Sequence, residues 1–94
     1  MQMYKLVKVT QVTALPNHHL AMTFSDGSSG VADLRSFVFS GGTMVEPLKD
    51  QGYFERVVVE GGAPTWPNEL DIDPTNARRL LEEAGLLRTD GEAA

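Results

Sequence analysis

The chain has 94 residues, of which 41% are hydrophobic and 22% charged, as expected for one globular domain rather than a disordered segment. Its net charge is −5, with only eight Lys and Arg residues scattered along it. This argues against direct nucleic-acid binding, which depends on cations that neutralise phosphates. The absence of cysteine excludes disulfides, thiolate zinc sites and thiol catalysis.

The sequence also lacks the apolar runs that membrane insertion requires. Its longest unbroken apolar runs have three residues, as in FVF at 37–39 and VVV at 57–59. This length is too short for a membrane span or a signal peptide. We therefore expect a cytoplasmic protein without a membrane segment. The acidic charge suits a basic protein partner, although excess acid is also a general route to solubility.

The first third of the chain has the pattern of β-strands. Residues 4–14 are rich in β-branched and aromatic side chains, and LPNHH at 15–19 supplies a turn. In the following LAMTF, apolar residues alternate with smaller or polar ones. Asp26-Gly27 is a strong turn signal, and a short strand around Val31 returns from it. These signals predict an antiparallel meander of three strands.

The middle of the chain mixes a helix with a second pair of strands. A short helix is predicted around residues 44–51, with Pro47 in its first turn, where a missing N–H costs nothing. RVVVE at 56–60 and APTWP at 63–67 read as strands joined by two glycines. Pro67 is expected to end the second strand or to place it at a sheet edge.

The C-terminal helix has the most complete set of signals. Asp73 suits the N-cap and Pro74 the first helical position. Gly85 suits a left-handed cap that would end the helix near residue 84, with Leu86 folding back on Leu81. The apolar stripe at helical spacing comprises Ala77, Leu80, Leu81, Ala84 and Leu87.

The predicted fold class is therefore α+β: a small antiparallel sheet of about five strands, a meander followed by a hairpin, with a short middle helix and a C-terminal helix packed on it. Residues 1–87 are expected to form the single domain. The polar residues 88–94 are expected to form a flexible tail.

Three landmarks in this order resemble the bacterial domain-of-unknown-function family 2442. They are LAMTFSDGSSGVADL at 20–34, EPLKDQGYFERVVVEGG at 46–62 and TWPNELDIDP at 65–74. The resemblance implies the same small α+β fold. One departure is Glu69, where the family often has Gly, and this puts a positive-φ turn at that position in doubt.

The resemblance brings no agreed activity and therefore no catalytic residue. Family members occur alone or joined to a helix-turn-helix domain, and some lie beside small partner genes in arrangements that resemble toxin–antitoxin modules. What carries over is a candidate contact or structural motif. Its residues are Trp66, Pro67, Asn68, Asp71 and Asp73.

This motif has a functional and a structural interpretation. Glu69, Asp71 and Asp73 alternate, so in an extended chain their carboxylates would share a face and could attract Ca²⁺ or Mg²⁺. A hard cation needs about six oxygen ligands, which the stretch does not supply, so we favour a turn followed by a helix cap. Trp66 is either an exposed anchor for a protein partner or, as we favour, a core residue whose indole N–H meets a carbonyl.

No other pattern points to catalysis, a metal or a cofactor. His18 and His19 are neighbours and would point to opposite faces of a strand, so we favour a polar hairpin loop over a metal site. No serine lies in a GxSxG turn, and GSSG lacks the features of a phosphate-binding loop. We therefore expect no enzymatic activity.

The first functional hypothesis is a non-enzymatic protein-binding or regulatory module, in its sharpest form an antitoxin-like protein with a small partner encoded nearby. The alternative is a small-ligand sensor that acts in trans with a transcription regulator, because we expect no helix-turn-helix after the last helix. A cryptic hydrolase is the least favoured. Self-association through an edge strand such as residues 4–14 stays open.

Overall fold

The computed structural model of the chain describes residues 7–89, and its N-terminal part forms the predicted meander. Three strands pair antiparallel in chain order: β1 (Val9–Leu15), β2 (His19–Phe24) and β3 (Ser29–Asp33). Every second residue of β2 is buried, as its alternation predicts. A β-bulge between Val9 and Gln11 shifts the pairing of β1 with β2. Residues 4–6 of the predicted first strand lie outside the described residues.

Three short helical segments lie in the middle of the chain, and the last two of them take the place of the single helix predicted around residues 44–51. They are helix α1 (Arg35–Val38), a 3₁₀ helix (Glu46–Lys49) and helix α2 (Gln51–Phe54). Pro47 lies in the first turn of the 3₁₀ helix, as predicted. The prediction of one continuous helix is wrong because Asp50 interrupts it with an extended ψ of 119°. The Asp50 side chain caps α2 instead, accepting from the Tyr53 N–H (3.2 Å).

The other two strands form a separate hairpin, β4 (Val58–Glu60) and β5 (Ala63–Thr65). The five predicted strands are therefore present and divided between two sheets, and the fold class is α+β. The Val9 N–H donates to the Gly62 carbonyl (2.8 Å), which joins the turn of the hairpin to the start of β1. An isolated bridge between Thr65 and Asp71 shows that the chain reverses once more after β5.

Helix α3 (Pro74–Glu83) begins and ends where the sequence predicts. The Asp73 carboxylate accepts from the Thr75 N–H (3.4 Å), and Pro74 lies at the first helical position. At the other end Gly85 has a φ of +73°. The Leu86 N–H then donates to the Leu81 carbonyl (2.8 Å), the long bond of a Schellman cap.

The buried face of α3 is narrower than the stripe that the sequence predicts. Ala77 and Leu81 are buried, whereas Leu80 is 50% exposed and Ala84 is also exposed. Spacing identifies the side of a helix that is apolar, but the neighbouring layer decides how much of that side is covered. Leu80 and Ala84 therefore belong to the predicted apolar stripe but lie outside its buried part.

One hydrophobic core joins both sheets, the middle helices and α3. Its buried members are Val9, Leu20, Met22, Phe24, Ala32, Leu34, Val38, Leu48, Phe54, Val57, Trp66, Ala77 and Leu81. Within residues 7–89, every buried side-chain nitrogen or oxygen has a hydrogen-bond partner. No helix in that range combines the length and hydropathy that crossing a membrane requires.

The chain returns to β3 after α3. Ser29 and Arg88 exchange two backbone hydrogen bonds, of 2.8 and 2.7 Å. The close approach depends on Gly30, because a Cβ there would lie 2.9 Å from the Leu86 carbonyl oxygen. This contact is an isolated bridge, and the predicted domain boundary after residue 87 stays a prediction. Residues 90–94 of the predicted tail lie outside the described residues, and the tail stays a prediction.

An ion pair joins α3 to the β2–β3 turn. Arg78 lies 3.0 Å from a carboxylate oxygen of Asp26, whose other oxygen accepts from the Ser28 N–H (3.0 Å) and from the Ser28 hydroxyl. The Ser28 hydroxyl and, to a smaller extent, Arg78 hold the pKa of Asp26 below its ordinary value. Together with the Schellman cap and the Ser29–Arg88 pairing, this contact fixes α3 against the first sheet.

Candidate functional site

The TWPNELDIDP segment forms a tight hairpin that continues β5. The Trp66 N–H donates to the Leu70 carbonyl (2.9 Å), and the Glu69 N–H donates back to the Trp66 carbonyl (2.8 Å). Farther along, the Ile72 N–H donates to the Pro64 carbonyl (3.1 Å). This pattern belongs to a three-residue loop over 67–69, in which a left-handed third residue completes the turn. The motif therefore pairs the chain once more with β5, through the isolated bridge between Thr65 and Asp71.

Glu69 occupies the left-handed position of this loop, with a φ of +71°. The doubt that the sequence raised about this turn is resolved: the positive-φ turn forms although the residue is Glu. Hydrogen bonds on both sides hold this conformation. The Glu69 N–H donates to the Trp66 carbonyl, and the Leu70 N–H donates to the side-chain oxygen of Asn68 (3.2 Å). The surrounding pairing thus overrides the cost of a Cβ in left-handed geometry.

Replacing Glu69 with Gly is expected to stabilise the protein. A non-Gly residue in left-handed geometry costs about 1–2 kcal/mol, and Gly avoids this cost. Because Gly also makes the unfolded chain more flexible, the net gain in the free energy of unfolding is about 0.5–1 kcal/mol. Chemical denaturation measures this change. Glu69→Ala is the matched control, since it removes the carboxylate but keeps the Cβ. Equal stabilisation by both variants would assign the effect to charge rather than to backbone geometry.

Trp66 is the most deeply placed residue of the motif, with 1% of its surface exposed. Its indole N–H donates to the Phe54 carbonyl at the end of α2 (2.9 Å). Its ring lies against the Phe54 ring, with centroids 5.7 Å apart. The interpretation as a core residue with a bonded indole is thus correct. The carbonyl belongs to α2, so Trp66 fastens the second sheet to the middle of the chain.

Asn68 and Asp73 also act within the fold. The Asn68 amide donates to the Met44 carbonyl (2.9 Å), which ties the hairpin loop to the segment before the 3₁₀ helix. The Asp73 carboxylate caps α3. Together with Trp66, these two residues make three members of the motif whose side chains form hydrogen bonds within the fold. Each joins the hairpin to a different neighbour.

The remaining motif residues face solvent. Pro67 and Asp71 are exposed, as is Glu69. Asp71 pairs with Thr65 only through its backbone bridge. The exposed Asp71 does not join Trp66 in a common surface, because Trp66 is buried. In the part of the chain that the structure describes, no group of three or more His, Cys, Asp or Glu side chains is placed to hold a metal ion.

The two histidines have separate partners, and His18 does more than line a loop. Its Nε2 lies 2.8 Å from the Leu48 carbonyl oxygen, and its ring meets Phe54 edge-on at 5.0 Å. Its φ of +58° places it in left-handed geometry beside Asn17 at +62°. His19 instead lies 3.9 Å from Asp33. His18 thus ties the β1–β2 turn to the middle helices, a role that only long-range contacts reveal.

The surface that the motif does not account for lies on the first sheet. Strand pairing aligns Thr13, Ala21 and Val31 in one row across the sheet. Gln11, Thr23 and Ser29 form the next row, and we call these six residues the outer face. Val31 is 42% exposed. The alternation of β2 could have identified this face, but only as the side opposite the core.

A shallow groove of about 400 Å³ runs over the outer face. Its rim on the β3 side is the returning chain, where Leu86 is 48% exposed and Arg88 projects beside Ser29. At the far end, Asp33 pairs with Arg35 at 2.7 Å. That guanidinium holds the pKa of Asp33 well below its usual range. An ion pair therefore borders a face that itself carries no charge.

The chain matches the model of one known protein family. The model of the family described as "Protein of unknown function (DUF2442)" matches residues 9–79, which include all five strands and the TWPNELDIDP hairpin. The chain belongs to the DUF2442 family. No curated protein matches this DUF2442 chain, and no solved structure does. The match ends within α3, so the Schellman cap and the return to β3 lie beyond it.

Proposed function

We propose that this DUF2442 chain is a non-enzymatic protein-binding module of the bacterial cytoplasm, and that the outer face is its contact surface. The observation that carries the proposal is the exposure of this face. Within residues 7–89, one side of the first sheet packs on the core, while the other lies open with Val31 and the neighbouring Leu86 about half exposed. A sheet face that no other element covers is a site where another chain can pack.

The shape of the groove favours a protein over a small molecule. Small-ligand sites enclose most of the ligand surface. This groove has one floor and one rim, and it opens along the sheet between Thr13 and Leu86. A broad, shallow surface of short side chains suits a protein interface in which many contacts each contribute a little to the binding free energy. The candidate motif, in contrast, directs its largest side chain inward at Trp66.

In its sharpest form the proposal is antitoxin-like: the chain binds a small protein encoded nearby. The test is co-expression with the product of the adjacent gene, followed by size-exclusion chromatography and calorimetry. Wild type should form a complex and relieve any growth inhibition caused by that product. Val31→Arg, which places a charge on the outer face, should weaken binding at least tenfold.

Val58→Arg is the matched control for that experiment. Val58 is also a strand valine and is 50% exposed, but it lies on β4 in the second sheet. It should bind as wild type does. If no complex forms with wild type, the antitoxin-like form fails. If Val58→Arg abolishes binding and Val31→Arg does not, the contact surface is not the outer face.

A second candidate is a small-ligand sensor that acts with a separate transcription regulator. The observation in its favour is the groove volume of about 400 Å³, which lies within the usual range of ligand pockets. Gln11, Thr13 and Thr23 supply hydrogen-bonding groups there, beside the Arg88 guanidinium. A thermal-shift screen of metabolites tests it. A hit whose stabilisation persists in Val31→Arg would place the ligand elsewhere.

A further inference from the structure

We infer that the outer face binds a second copy of this chain, sheet against sheet, in a weak two-fold symmetric dimer. This inference rests on the proposed function, since it names an occupant for the same surface. It is supported by the charge of the face, by the chemistry of its polar groups and by the shape of its groove. The area of the face sets the expected strength.

The charge of the outer face is the first argument. Two copies of a chain with a net charge of −5 repel each other wherever their acidic surfaces meet. The six residues of the outer face are uncharged, and the bordering Asp33 is neutralised by Arg35. A second copy can therefore approach over these six residues without burying a carboxylate, and the charge at the rim is the Arg88 guanidinium, whereas a strongly basic partner would find no acidic side chain among them.

The polar groups of the face are the second argument. Thr13, Thr23 and Ser29 carry hydroxyls, and Gln11 carries an amide, so each side chain both donates and accepts hydrogen bonds. Within residues 7–89, none of these four side chains makes an intramolecular hydrogen bond. In a two-fold contact the same surface meets itself, so its groups must complement one another. Side chains that are donor and acceptor at once satisfy that condition.

The groove supplies the third argument. Its floor includes the small side chain of Ala21 on β2, while Leu86 stands exposed at its rim. Each copy therefore offers one apolar projection and one shallow depression. A two-fold axis through the outer face would place the projection of each copy over the depression of the other. Such a contact would cover the exposed surfaces of Leu86 and Val31 together.

The size of the face predicts a weak dimer. Three strands of about 5–7 residues, spaced about 4.8 Å apart, give a face of roughly 300 Å² in projection. A standard interface buries about 800 Å² of accessible surface on each partner. The contact therefore belongs with small, transient interfaces. We expect dissociation at low micromolar concentration and dimerisation as the concentration approaches about 1 mM, with Kd above about 10 μM.

Sedimentation velocity of the full chain from about 10 μM to about 1 mM tests the inference. Wild type should shift from monomer toward dimer, and added salt should strengthen the dimer by screening the net charge. Val31→Arg should raise Kd at least tenfold, whereas Val58→Arg should leave it unchanged. Thr13→Arg is a second variant on β1, in case Val31→Arg does not fold. Backbone NMR spectra establish that each variant is folded.

The outcomes separate this inference from the proposed function. A wild type that stays monomeric at every concentration overturns the dimer. So does a dimer that folded Val31→Arg and Thr13→Arg leave intact. If wild type is monomeric but Val31→Arg still abolishes binding to the neighbouring gene product, the protein-binding function stands without self-association. If wild type dimerises and binds no such product, the dimer stands and the antitoxin-like form fails.

Discussion

Replacing Trp66 with Ala is expected to lower the free energy of unfolding by about 3–5 kcal/mol, the range for a large aromatic residue removed from a core. Trp66 is 1% exposed, packs on Phe54 and donates its indole N–H to the Phe54 carbonyl. The substitution leaves a cavity between the second sheet and α2. Since a domain of this size is stable by only about 5–15 kcal/mol, the variant should be marginally folded. Urea denaturation at 25 °C measures the loss.

Two further variants separate the contributions to that loss. Trp66→Phe keeps an aromatic ring but leaves the buried Phe54 carbonyl without its donor, so it should lie between wild type and Trp66→Ala, with a cost of at least about 1–3 kcal/mol. Asp71→Ala, from the same motif but exposed, should change stability by less than about 0.5 kcal/mol. A larger effect at Asp71 than at Trp66 would contradict the structural role of the motif.

Replacing Gly30 with Ala is expected to destabilise the fold by about 1–3 kcal/mol, the usual cost of forcing an extra methyl into a packed site. The new Cβ would lie 2.9 Å from the Leu86 carbonyl oxygen and 3.0 Å from the Leu81 Cδ1. The first of these is a backbone atom, held in place by the Schellman cap and the Ser29–Arg88 pairing. The end of α3 must therefore move away from β3. Denaturation gives the magnitude, and NMR shifts at residues 85–88 show the displacement.

Gly52→Ala is the control for this effect. Gly52 lies inside α2, where the nearest atom to a new Cβ is an Asp50 carboxylate oxygen at 3.4 Å, an ordinary contact. Ala is favoured over Gly in a helix by about 0.5–1 kcal/mol, so this variant should be slightly more stable than wild type. If Gly30→Ala were also neutral or stabilising, the close approach of α3 to β3 would not be rigid.

Local signals explain which parts of the fold the sequence predicts. The cap residues Asp73 and Gly85 define both ends of α3 because capping depends on residues next to each other in the chain. The strands follow from alternation and from turn residues in the same way. The division into two sheets and the interruption at Asp50 depend on packing between distant segments. Propensity alone does not contain that information.

The candidate site shows the same boundary between local and long-range information. The turn at Asn68 and the cap at Asp73 could be predicted from residue types, whereas the left-handed geometry of Glu69 could not, because Glu disfavours it. The partner of the Trp66 indole could not, because Phe54 lies on a different element. Likewise, the exposure of Leu80 and the open outer face depend on which layers cover each element. A sequence pattern shows that one side of an element carries apolar or small residues, but it does not show which other element covers that side.

The pairing of Ser29 with Arg88 has a consequence for the order of folding. The meander β1–β3 contains only local connections and can form as soon as its residues leave the ribosome, since short loops close at little entropic cost. The edge of β3 at Ser29 acquires its backbone partner only when Arg88 arrives, after α3 has formed. During synthesis this edge is therefore open to strands of other nascent chains. We therefore expect the last described turn of the chain to pair with the edge of β3 at Ser29 late in folding.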